Sequence, residues 1–90
     1  MIRLITQDET RPGAAAVVIG SFVDPARARS LASAARAAGF ADAKVVSRGQ
    51  GLAAVHQVRL GVYPRSADAR RAGEQAEQAL GVTFELMRAH

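Results

Sequence analysis

An α+β domain made from two copies of a strand–helix–strand unit is the fold this sequence predicts. Three observations predict it. Apolar runs of strand length alternate with helical stripes in the order β-α-β-β-α-β. The chain matches itself at an offset of 41 residues. Each copy's first strand ends in a glycine followed two residues later by an aromatic, Gly20–Phe22 and Gly61–Tyr63. A chain of 90 residues has room for one core only.

The elements follow in order. Residues 1–13 read as a short apolar stretch (Ile2, Leu4, Ile5) and a polar tail closed by Pro12-Gly13, an arm or linker ahead of a domain at 14–88. Ala14 to Phe22 is apolar and β-branched at its centre, which predicts a buried strand. Asp24-Pro25 opens a helix: the carboxylate accepts from a free first-turn amide, and Pro suits the first helical position. Ala28, Leu31, Ala32, Ala35 and Ala38 form its apolar stripe, and Gly39-Phe40 its stop.

Lys44 to Ser47 predicts a short strand, and the turn Arg48-Gly49-Gln50-Gly51 leads into a longer one, Ala54 to Tyr63. There Val58 and Leu60 alternate with Gln57, Arg59 and Gly61, one core face and one polar face. Ser66 is read as the N-cap of the second helix, with Asp68 in its first turn. Ala69, Ala72, Gly73, Ala76 and Leu80 are its buried stripe, Gly73 marking close approach, and Gly81 ends it. Val82 to Met87 alternates as a last strand with Val82, Phe84 and Leu86 inward.

The repeat fixes the topology. Val17 stands where Val58 stands, Gly20 where Gly61 stands, Phe22 where Tyr63 stands, and Ala26, Ala28 and Arg29 where Ala67, Ala69 and Arg70 stand. Right-handed crossovers then place both helices on one face of a four-stranded antiparallel sheet, a ferredoxin/RNP-like arrangement. The other face is left open, with Val18, Gly20, Gln57, Arg59 and Gly61 expected on it. Open sheet faces of this kind suit a binding function.

Composition narrows the chemistry. There is no cysteine, so disulfides, thiolate metal sites and cysteine nucleophiles are excluded. No apolar run reaches the roughly 20 residues of a membrane span. The net charge of +4 comes almost wholly from arginine, Lys44 being the single lysine, and the arginines are dispersed rather than clustered. His56 has no partner at metal-ligand spacing, and His90 is the last residue. Gly20-Ser21-Phe22 is not a nucleophile elbow, and the glycine turn lacks the G-K-[ST] of a phosphate loop. No catalytic residue, metal site or cofactor is expected, and the chain is read as a binding module rather than an enzyme.

Val17-Val18-Ile19-Gly20-Ser21-Phe22, the alanine-rich helix ending at Gly39-Phe40, and Val58-Arg59-Leu60-Gly61-Val62-Tyr63 together resemble the SPOR domain family over roughly Ala14 to Met87. Ser21, Arg59 and both glycines fit the family's strand motifs. Val18 stands where the family has glutamine, Gln57 where it has arginine, Val62 where it has proline, and His56 where an aromatic is frequent. The resemblance implies a module that binds peptidoglycan glycan strands lacking stem peptides. It implies a periplasmic or cell-envelope location, at the division site, within a larger exported or anchored protein. On that reading the glycan site is Val18, Gly20, Ser21, Gln50, Gln57, Arg59 and Gly61.

Two other functions fit the same architecture. A nucleic-acid-binding module is disfavoured, because the outward strand positions carry no aromatics for base stacking. A protein-interaction domain using the sheet remains the other alternative. Acylphosphatase chemistry needs an asparagine, and the sequence contains none.

Overall fold

The computed structural model describes residues 15–88. The arm at residues 1–13 and His90 lie outside the described residues. The elements run β1 (Ala15–Phe22), α1 (Pro25–Ala37), β2 (Lys44–Arg48), a single 3₁₀ turn (Gly51–Ala53), β3 (Val55–Tyr63), α2 (Ser66–Leu80) and β4 (Glu85–Met87). The strands form one antiparallel sheet in the order β2-β3-β1-β4. The duplicated unit is therefore visible in the fold, each copy contributing one central strand, one helix and one edge strand.

Local chemistry explains the helix ends. The Asp24 carboxylate accepts from the Ala26 amide at 2.9 Å, and Pro25 occupies the first turn, where a missing N–H costs nothing. At the other end of α1, the Phe40 amide donates to the Ala35 carbonyl at 3.0 Å and the Gly39 amide to the Arg36 carbonyl at 3.1 Å. This doubly bonded stop needs a positive φ, and Gly39 supplies 110°. Gly81 closes α2 in the left-handed region at φ 68°.

The start of α2 differs from the sequence reading. Ser66 is already helical, and Arg65 is the capping residue, extended and without a side-chain cap bond. Its guanidinium instead meets Asp68 in the first turn at 3.3 Å. An acidic side chain near the positive end of the helix dipole takes the place of a capping hydroxyl.

The core lies between the helices and one sheet face. Val17, Ile19, Val58 and Leu60 come from the two central strands; Ala28, Ala32 and Ala35 come from α1, and Ala69, Ala72 and Ala76 from α2. Alanine stripes bring the helix backbones close to the sheet, so the remaining space is filled from the rim. Phe22, Phe40, Tyr63 and Phe84 all pack there, which puts all four aromatic residues of the sequence on the helix side. Gly73 carries the closest approach: a Cβ at that position would collide with the Phe84 ring. Phe84 stands just before β4, which is shorter than the alternation from Val82 predicts. Val82, Phe84 and Leu86 nevertheless all turn inward as expected.

Two register shifts govern the centre of the sheet. Ala16 pairs with Val62 and Val18 with Arg59, so one extra β3 residue lies between these pairs. Gly20 then pairs with Val58, so one extra β1 residue lies between Val18 and Gly20. The two bulges cancel, and the ladder continues with Ser21–Gln57 and Phe22–His56.

Candidate functional site

The bulges decide which side chains the open face presents. Cross-strand partners share a face, and Val58 and Leu60 belong to the core. Val18 and Ser21, partners of Arg59 and Gln57, therefore lie on the open face. Gly20 is the partner of buried Val58 and does not. A Cβ built on Gly20 would stand 2.9 Å from the Phe22 ring and 3.0 Å from Leu31 of α1, on the helix side. A Cβ on Gly61 would likewise point to Tyr63 and Asp42, at 3.9 and 3.7 Å.

The expectation that Gly20 and Gly61 open the outer face to a ligand is thus corrected. Gly20 instead makes room beneath the Phe22 ring, whereas Gly61 faces Tyr63 at ordinary contact distance and is needed for its φ of 156°. At Gly20 the glycine–aromatic pair is a packing device, and simple alternation hid it because a bulge places two successive residues on one side.

Read through the pairing, the open face consists of rows across the sheet. The first is Lys44, Arg59, Val18 and Glu85, on β2, β3, β1 and β4. On one side of it lies the row Val46, Gln57 and Ser21, followed by Arg48 and Val55. On the other side Val62, Ala16 and Met87 form an apolar row. Val18 is only 4% exposed, so it is the floor of the face rather than a projecting contact. Val62 and Val55 are exposed.

The polar centre is organised. Arg59 donates to the Gln57 side-chain carbonyl twice, from Nη2 at 2.9 Å and from Nε at 3.3 Å. Gln57 and Arg59 stand two apart on β3, so they project from the same face, and the amide fixes the plane of the guanidinium. Arg59 Nη1 and the Gln57 amide nitrogen remain as donors directed away from this pair. Ser21 is exposed beside them.

Gln50 precedes the 3₁₀ turn in the β2–β3 connection, exposed and without a side-chain capping bond. It lies at the Arg48–Val55 end of the face. Leu52, in the same turn, is fully exposed. His56 is a partner of Phe22 and so belongs to the helix side, where its Nδ1 lies 2.6 Å from the Ser47 hydroxyl.

β4 pairs only with Ala16, Val17 and Val18, and the chain before it splays away. A cleft of about 230 Å³ opens there along the free edge of β1, lined by Val18, Ile19, Gly20, Ser21, Thr83, Phe84 and Glu85. Gly20 thus reaches the surface through its backbone. Alternation along the last strand already turns Glu85 and Met87 away from the inward Val82, Phe84 and Leu86, but sequence reasoning missed Lys44, Val46 and Arg48 as members of the face. Only the pairing register of the edge strands reveals them.

The arrangement offers hydrogen-bond donors and a shallow apolar floor, with no aromatic platform for stacking. Among the described residues no group of three His, Cys, Asp or Glu side chains is placed to hold a metal ion. No helix among them is long and apolar enough to cross a membrane.

The family profile described as SPOR domain matches residues 12–83. The solved SPOR domain of RlpA from Pseudomonas aeruginosa superposes with a TM-score of 0.70 at 22% identity, covering 82% of this chain and 97% of that one. The peptidoglycan binding domain of the B. subtilis cell wall lytic enzyme CwlC superposes with a TM-score of 0.63 at 26% identity, covering 81% of this chain and 85% of that one. A search of curated proteins found no match.

Proposed function

The chain belongs to the SPOR domain family, and we propose that it is a peptidoglycan-binding module acting through the open face of its sheet. The family match over residues 12–83 carries this reading, and the four-stranded sheet face opposite the helices, with no helix packed on it among the described residues, gives it a surface. The binding domain of CwlC, named for peptidoglycan, shares the fold and supports it.

The finer reading is a non-catalytic module that prefers glycan strands without stem peptides and holds a larger cell-envelope protein at the division site. A glycan strand needs a shallow surface with amide, hydroxyl and guanidinium partners. Gln57, Arg59 and Ser21 supply these at the centre of the face. Val18 provides the floor, and Gln50 stands at one end. Gly20 and Gly61 contribute backbone only, Gly20 at the cleft beside β4.

Co-sedimentation with purified sacculi tests the proposal. The chain should pellet with sacculi, and a larger fraction should pellet after an amidase has removed the stem peptides. Pelleting no greater than that of an unrelated basic domain of equal size, before and after amidase, would refute it.

A further inference from the structure

The charges on the open face are unevenly placed. Lys44, Arg48 and Arg59 lie on the β2–β3 half. In the paired rows the one carboxylate is Glu85, at the far edge beyond Val18. Lys44 and Arg59 are direct cross-strand partners. Like charges so placed, with Cβ atoms about 5 Å apart, weaken a sheet. Among the described residues the ion pairs are Arg65–Asp68 and Arg71–Asp68, and neither includes these three cations. Gln57 holds the Arg59 guanidinium in a fixed plane through Nε and Nη2, which leaves the Nη1 and second Nη2 hydrogens on its outer end to meet a carboxylate. Lys44 and Arg48 stand four residues apart on β2, roughly 13 Å along the strand. The strip is long enough to meet more than one anion of a polymer.

The polymer in question changes charge when its peptides are removed. In intact peptidoglycan the lactyl group of each muramic acid is tied to the peptide as an uncharged amide. Hydrolysis of that amide by water releases the peptide's amine and leaves a carboxylate on the sugar. A strand without stem peptides is therefore a polyanion with one carboxylate per disaccharide.

We propose that Lys44, Arg48 and Arg59 form a cationic strip that reads these lactyl carboxylates. This inference rests on the reading of the chain as a binder of stem-peptide-free glycan, and it assigns the preference to a charge that the peptide otherwise masks. The cross-strand Lys44–Arg59 pair, a cost to the free domain, is relieved when the carboxylate arrives.

The test alters the ligand first, so that folding of a variant is not at issue. Glycan strands freed of peptides by amidase are compared with the same strands after carbodiimide coupling to methylamine, which turns each carboxylate into a neutral amide. The methylamide form should bind about tenfold more weakly, the scale of one charge-assisted hydrogen bond, and binding of the acid form should weaken as salt is raised. Lys44→Thr should weaken binding of the acid form several-fold, narrow the gap between the acid and methylamide forms, and raise the melting temperature by removing the like-charge pair. Equal binding of the two glycan forms overturns the inference and leaves the proposed function standing. Binding of neither form refutes the proposed function, and the inference with it. Single-stranded RNA bound as tightly as the acid glycan at the same salt also overturns it, since the strip would then read any polyanion.

Discussion

Tyr63 shows how one side chain joins packing to titration. Its ring covers Gly61 and packs against the core rim, and its phenol stands near Asp42. Burial, and then the Asp42 charge, raise its pKa above the ordinary phenol value of 10.0. The unfolded chain loses this proton near pH 10, while the folded chain still holds it. The folded state therefore binds more protons in that range, and stability must fall as pH rises through it. Tyr63 is the only tyrosine of the sequence, so the effect is separable. Urea midpoints measured between about pH 9 and about pH 11 should decline, and Tyr63→Phe should make the decline shallower. An unchanged slope in the variant would show that the phenol is not the titrating group. Gln57 and Arg59 were legible at this scale as outward polar residues. The bond that joins them was not, because i,i+2 spacing on a strand allows the contact without requiring it.

At the scale of elements, the contact between α2 and the segment leading into β4 offers the sharpest case. Gly73 costs the helix about 1 kcal/mol relative to alanine. Substituting alanine should therefore stabilise the helix taken alone. In the fold the added methyl would collide with the Phe84 ring, and overpacking of this kind costs about 1–3 kcal/mol. Gly73→Ala should thus lower stability on balance, and Phe84→Leu in the same chain should recover part of the loss, as read in a denaturant double-mutant cycle. A stabilised Gly73→Ala would show that the ring moves aside freely. The helix stripes, the Asp24-Pro25 start and the glycine stops were readable because each has a residue-type signature. The paired bulges were not, because they arise from hydrogen-bond register between β1 and β3 and no residue type announces them. Their effect is large: they turn Gly20 and Phe22 to the helix side and Ser21 to the open side.

For the molecule as a whole, the internal repeat makes the topology readable in the sequence. Val17 and Val58 fall at equivalent places, and both end at the centre of the core. The open face was only half readable. Its β3 and β4 residues followed from alternation around Val58, Leu60 and Leu86, but its β2 members, and the partner each edge residue meets, depend on how the edge strands align. Lys44 and Glu85 gain their significance only through their partners Arg59 and Val18. The same topology packs every aromatic ring, partly buried, on the helix side, so the open face offers amides, hydroxyls and charge rather than a stacking platform.

The face itself can be observed directly. In a ¹⁵N-labelled chain titrated with soluble glycan fragments lacking stem peptides, the backbone amide shifts should move at Val18, Ser21, Val46, Gln57 and Arg59. Those of Ala28, Ala32, Ala72 and Ala76, on the sheet-facing sides of the helices, should stay still. Shifts confined to the two helices, with the central strands silent, would contradict the assignment of the open sheet face as the binding surface.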